Sequence, residues 1–145
     1  SMTGTAGLVL AVILIGTWFM RGSGVTWQPY SHELLLEAQS LEKPVIIDFY
    51  ADWCAPCREL DEVTFRNEEV VNMAKRDFIM IKLDLTQKGN PAYEQLLSRY
   101  GVKGVPTVVF LDRRGVERQS LRLVDFLPAD QFLVRMTEAT KGASP

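Results

Sequence analysis

An α/β fold, with a central mixed β-sheet and helices on both faces, preceded by an N-terminal transmembrane segment, is what three features of this 145-residue chain predict. Strand-like and helix-like patterns alternate from residue 31 to residue 140, in an order that buries a sheet between two helical layers. The only two cysteines, Cys54 and Cys57, stand two residues apart, directly after the apolar run 45–51. A strand feeding a helix that opens on Cys-x-x-Cys is the sequence form of a dithiol redox centre. The third feature is an uncharged stretch, residues 1–20, placed ahead of the alternating region.

That stretch comes first in order. A helix rises 1.5 Å per residue, so twenty residues span roughly 30 Å, enough for the hydrocarbon core of a bilayer. Residues 1–21 therefore read as a transmembrane segment or anchor. A cleaved signal peptide is the rival reading, and it wants a basic start and a small-x-small cleavage site. Nothing basic precedes Arg21, and Thr17-Trp18-Phe19-Met20 suits a membrane interface better than a peptidase. The low polarity of the start also leaves room for further spans upstream. Residues 22–26 read as a short tether and residues 27–145 as one domain, long enough to bury its own core.

Within the domain, Ser31 is placed to cap a helix carrying Leu34, Leu35, Ala38 and Leu41 on one face. Residues 44–50 form a buried strand, and a helix starts near Cys54. Asn67, followed by Glu68 and Glu69, marks a new helix with Val70, Val71 and Ala74 inward. Residues 78–85 alternate as a strand. Residues 91–100 make a short helix that Gly101 stops. Strands over 107–111 and 116–124 flank a turn at 112–115, and an amphipathic helix over 128–140 closes the chain.

Composition and cysteine count exclude several functions. The net charge is −2 with no basic stripe, which argues against nucleic acid. A structural zinc site needs four ligands. This chain offers two cysteines and the distant His32, so only a metal shared between two chains would remain. A c-type haem attachment needs histidine after the second cysteine, and position 58 is arginine. No metal site is expected. His32 reads as a surface residue, Tyr50 as core packing, and Trp18 and Trp27 as anchoring or packing residues.

Two segments make the likeness specific. Asp48-Phe49-Tyr50-Ala51-Asp52-Trp53-Cys54-Ala55-Pro56-Cys57 and Gly104-Val105-Pro106-Thr107 resemble the signature segments of the thioredoxin fold. More narrowly, Tyr50 to Cys54, then Thr64-Phe65 and later residues 101–107, resemble the C-terminal domain of the DsbD family of membrane thiol:disulfide interchange proteins. The likeness covers residues 27–138. Asp125-Phe126 departs from it, since such domains often carry Gly-Phe there.

The resemblance implies a thioredoxin fold, an upstream membrane span and a mechanism. Cys54, at the start of a helix, has unpaired backbone N–H groups and the helix dipole to stabilise its thiolate, and is expected to be the exposed nucleophile. Cys57, one turn on, is expected to resolve the mixed disulfide. Pro56 fits the first helical turn, where its missing N–H costs nothing. Val105-Pro106 looks like the family's cis-proline step, whose backbone edge pairs with substrate. Trp53 would shield the disulfide and offer a docking surface.

Two acids and a lysine complete the expected site. Asp48 sits in an apolar strand, where a carboxylate is costly unless used or paired. By the resemblance it lies beneath Cys57 and can take its proton; the bland alternative is a buried ion pair with Lys82, in the neighbouring strand. Asp61, four residues after Cys57, can face the same cluster, although a solvated helix carboxylate would need no such role.

The expected function is a membrane-tethered thiol:disulfide oxidoreductase working in the reductase direction. Ala-Pro between the cysteines and the crowding of acids favour reduction. The cysteine pair serves as the redox group, with no other cofactor. Partners would be a membrane electron-donor domain and extracytoplasmic protein disulfides, with a monomeric domain in the periplasm of a bacterial inner membrane. An anchored thioredoxin for cytochrome c maturation is one alternative, although it would usually carry an insertion absent here. A non-catalytic substrate-binding module is the other, and two intact cysteines argue against it.

Overall fold

The structure, a computed structural model, describes residues 24–142. The expected membrane segment, 1–21, and the first two residues of the tether lie outside them. Among the described residues no helix is long and apolar enough to cross a membrane.

Four strands form the sheet: β1 (Gln28–Pro29), β2 (Val45–Tyr50), β3 (Ile79–Asp84) and β4 (Thr107–Leu111), in the order β1-β3-β2-β4. β2 and β1 both run parallel to β3, whereas β4 is antiparallel to β2, so the sheet is mixed as expected. Among the described residues five α-helices cover it: α1 (His32–Ser40), α2 (Ala55–Glu62), α3 (Glu68–Asp77), α4 (Pro91–Tyr100) and α5 (Ala129–Thr140). β2 and β3 are parallel, and a parallel pair needs a crossover connection. α2 and α3 supply it.

β2, β3 and β4 each alternate between two cores. One is built on Ile46, Met80, Val108 and Phe110 with Leu60 of α2, Val70 of α3 and Phe132 of α5. The other joins Val45, Ile47, Phe49, Ile81 and Val109 to α1 and α4. Period-2 side-chain alternation puts Asp48 on the Ile46 face and Lys82 on the Met80 face, which is the same face. Phe132 sits edge-on to Phe65 at 5.3 Å and against Phe110 at 5.6 Å, tying α5 to the sheet.

Local chemistry sets the helix ends. Ser31 accepts the N–H of Leu34, Asn67 those of Glu69 and Val70, and Asn90 that of Ala92. Each oxygen satisfies a donor that the first turn leaves free. Gly101 ends α4 with φ +60°, a conformation open to glycine at little cost.

Four expectations change. The strand expected over 116–124 is instead a short 3₁₀ turn, Gln119–Leu121, between two isolated bridges, Leu111 with Glu117 and Val108 with Leu123. The turn before it forms as expected, with the Asp112 carboxylate accepting the N–H groups of Arg114 and Val116. Leu41 is the exposed C-cap of α1 rather than part of its buried face. β1 had no strand signal. Val25, placed in the tether by the sequence, is buried and donates its N–H to the Phe65 carbonyl at 2.9 Å, so packing starts before residue 27.

Candidate active site

β2, in the interior of the sheet, delivers the chain to its C-terminal end, and two hydrogen bonds hold the connection that follows. Leu85 N–H donates to the Tyr50 carbonyl at 2.7 Å, and Asp52 N–H to Thr86 Oγ1 at 2.9 Å. Cys54 then caps α2, with its sulfur accepting the Cys57 N–H at 3.3 Å. Pro56 lies in the first turn, as its missing donor allows. Cys54 and Cys57 are joined in a disulfide, with Cα atoms 5.2 Å apart.

Both cysteines are covered in this oxidised state, Cys54 to 4 % and Cys57 to 2 % exposure. The expectation of an exposed Cys54 therefore does not hold here. Ala51, Tyr50 and Val105 pack around the pair, while the neighbouring Trp53 is 67 % exposed. The Val105–Pro106 bond is cis. Thr107 Oγ1 donates to the Gly104 carbonyl at 2.7 Å and steadies this loop beside the disulfide.

Two grooves flank the Val105–Pro106 ridge. One, of about 260 Å³, is lined by Trp53, Leu85, Tyr93, Leu97, Val102 and Val105. The other, of about 470 Å³, runs past Lys103, Pro106, Arg122 and the exposed Val124. Arg122 fixes the second wall: it grips Glu117 at 2.7 and 2.8 Å and donates to the Tyr100 carbonyl at the end of α4.

Asp48 is buried, and its Oδ1 finds no hydrogen-bond partner among the described residues. Burial pushes its carboxyl up from 3.8 to about 7; Lys82 pulls it down in part and Asp61 adds a little upward. The alternative, a direct ion pair between Asp48 and Lys82, is not what forms. Lys82 Nζ bonds Asp61 Oδ1 at 2.6 Å instead, although Asp48 and Lys82 are register partners across β2 and β3. Asp61 thus faces this cluster, as its spacing from Cys57 anticipated.

Sequence reasoning missed the aromatic surroundings of Lys82. Its ammonium lies 4.5 Å from the Tyr50 ring centre and 5.2 Å from that of Trp27. Tyr50, expected from sequence to pack in the core, also gives Lys82 an aromatic face. Its phenol is pushed up to about 12, by burial first and then by the Asp84 and Asp52 carboxylates. The signal that could have found the contact is the β2–β3 register, which puts residue 82 two places from residue 50. His32 is exposed at the start of α1, away from this cluster.

The family described as thioredoxin-like matches residues 26–113. The chain belongs to that family. Thiol:disulfide interchange protein DsbD of Yersinia pestis is 34% identical over 141 residues, covering 87% of this chain and 23% of its own length. DsbD of Vibrio cholerae is 35% identical over 104 residues, covering 72% and 17%. This chain therefore spans about a quarter or less of the curated relatives it matches. Among solved structures, the oxidised C-terminal domain of Neisseria meningitidis DsbD superposes with a TM-score of 0.63 at 28% identity, over 79% of this chain and 100% of that one. The fold, these relatives and the Cys54–Cys57 disulfide make this a thiol:disulfide oxidoreductase domain whose redox group is the cysteine pair itself.

Proposed function

We propose that this domain works as a reductase, passing two electrons from an upstream dithiol to disulfides of extracytoplasmic proteins. The observation that carries the proposal is a cysteine pair at a helix start whose face of the sheet holds a buried carboxyl, Asp48, with no hydrogen-bond partner at Oδ1 among the described residues. In the reduced domain the Cys54 thiolate attacks one sulfur of a substrate disulfide. A mixed disulfide forms, and the other substrate sulfur leaves as a thiolate. Cys57 gives its proton to Asp48 and attacks Cys54 Sγ, which releases the second substrate thiolate. The domain is then oxidised, as described above, and the substrate holds both electrons. An incoming dithiol reverses these steps and restores Cys54 and Cys57.

The remaining roles follow from position. Trp53 and the Val105–Pro106 ridge give an extended substrate an apolar contact and a backbone edge beside the disulfide. Pro56 keeps the first turn of α2 in shape, and Lys82 with Asp61 sets the charge around Asp48. Likeness to DsbD supports a periplasmic setting with residues 1–21 as the membrane anchor and 22–26 as the tether. The domain acts as a monomer toward protein thiol and disulfide partners.

Insulin provides the test. The reduced chain should accelerate insulin precipitation over dithiothreitol alone, and a glutathione buffer should leave Cys54 and Cys57 mainly oxidised. No acceleration would remove the enzymatic reading. A dithiol that stays reduced in that buffer would mark an oxidant instead.

A further inference from the structure

Lys82 has a choice of carboxylates. Asp48 is its register partner on the neighbouring strand and shares its face of the sheet, yet the ammonium sits on Asp61 at 2.6 Å. Three groups surround it there: the Asp61 carboxylate, the Tyr50 ring at 4.5 Å and the Trp27 ring at 5.2 Å. A cation within about 6 Å of an aromatic face is drawn to it by the ring quadrupole. Trp27 comes from the segment just before β1, and the core fixes its place. Its ring stands edge-on to Phe65 at 5.0 Å, and Val25, two residues earlier, is bonded to the Phe65 carbonyl.

We propose that Trp27 is a positioning residue for thiol–disulfide exchange: with Tyr50 it holds the Lys82 ammonium on Asp61 and off Asp48, leaving Asp48 an unpaired proton acceptor. The proposal rests on the roles given to Asp48 and Cys57 above. It gives the entry of the chain into the domain a direct hold on the redox site, because Trp27 directly precedes β1, and β1 pairs Pro29 with Lys82. The groups that face Asp48 are few. Lys82 comes from β3, with Asp84 further along that strand. Asp61 comes from α2, and Tyr50 from β2 itself. β4 presents the apolar Val108, while α3 and α5 add Val70, Ala74, Phe132 and Met136 to the same face. Lys82 is the one cation among them, so moving it changes Asp48 more than any other rearrangement.

The test follows the Asp48 carboxyl by ¹³C NMR in the oxidised 145-residue chain, with the resonance assigned by its loss in Asp48→Asn. Trp27→Leu fills the space against Phe65 without an aromatic face. It should free Lys82 to pair with Asp48 and lower the titration midpoint by about one pH unit or more, as a close opposite charge does. Trp27→Phe retains an aromatic face and should stay near the parent midpoint. On a Lys82→Met background Trp27→Leu should have no further effect, because the mediator is gone. The pH profile of insulin reduction should move with the NMR midpoint. An unchanged midpoint in Trp27→Leu, an equal drop in Trp27→Phe, or a drop that persists with Lys82→Met would each overturn the proposal. The titration needs no turnover, so a chain inert toward insulin would sink the reductase reading while this measurement still decides the role of Trp27.

Discussion

Replacing Asp48 with asparagine should make the fold more stable in alkali while slowing its chemistry. The folded carboxyl titrates near 7 against an ordinary 3.8, because burial penalises its charge. The folded state therefore keeps a proton that the unfolded chain has already lost. Asp48's contribution to stability is full below 3.8 and is lost as pH rises through about 7. A raise of about 3 units, at about 1.4 kcal/mol each, makes the total loss about 4 kcal/mol. Roughly a third is gone by pH 5 and essentially all by pH 8.5, which leaves about 3 kcal/mol between those two conditions. Asparagine does not titrate. Any cost of burying its amide is the same at both pH values and cancels, as do the other ionisable groups. Urea denaturation of the oxidised wild type and Asp48→Asn at pH 5 and 8.5 gives the double difference directly. The variant should gain about 3 kcal/mol relative to wild type on going to the higher pH. A double difference below about 1 kcal/mol would refute the view of Asp48 as a carboxyl held protonated by burial. In kinetics the same variant should slow release from the mixed disulfide most near neutral pH, where a free thiol is mostly protonated. Rates unchanged from pH 6 to 9 would leave Asp48 a structural residue.

The remaining expectations are simpler. Cys54→Ser should abolish insulin reduction, whereas Cys57→Ser should accumulate mixed disulfides with partner proteins; equal trapping by both on a diagonal gel would undo the division of labour. Trp53→Ala removes a largely exposed ring, so stability should hold within about 0.5 kcal/mol; KM for a protein disulfide should rise several-fold while a small aromatic disulfide reacts as before, and equal losses on both would argue against docking. Phe132→Ala opens a cavity between Phe65 and Phe110, and chemical denaturation should register a loss of about 3–5 kcal/mol.

The elements that could be read from sequence were those whose ends carry their own chemistry. Gly101 ends α4 and Asn67 starts α3, because each supplies locally what the helix terminus lacks. Cys-x-x-Cys after an apolar run placed the disulfide at the start of α2 for the same reason. β1 was illegible because two residues give no periodicity, and its Pro29 can donate nothing to a ladder. The segment 116–124 has strand-like alternation, but Val116 and Val124 point outward and Arg122 is bound to Glu117 and the end of α4. Packing between distant parts decided that segment, and a local pattern cannot record it. Lys82 is the same lesson at one side chain. Alternation and register brought it to Asp48, but the choice of Asp61 depends on Trp27, more than fifty residues earlier in the chain.

That choice bears on the direction in which electrons move. Oxidised, the cysteine pair carries no charge; reduced and active, it carries a thiolate at the start of α2. One N–H of the first turn already points at the Cys54 sulfur and favours that charge. Two carboxylates on the same side of the sheet oppose it, and the single ammonium between them can neutralise only one. Where the other lies matters. Asp61 keeps about a third of its side chain in water, which would screen an unpaired charge there. Asp48 has no such screening. With Lys82 on Asp61, the unneutralised acid is the buried one. Once ionised, it acts on the thiolate through protein rather than solvent, at an effective dielectric of about 20 rather than 80. That opposition falls on the dithiol form alone, so it favours giving electrons up. If Lys82 moved to Asp48, the uncompensated charge would shift to the wetter position and the bias would weaken. The placement of one ammonium therefore governs both how readily Cys57 loses its proton and how strongly the pair prefers to be oxidised.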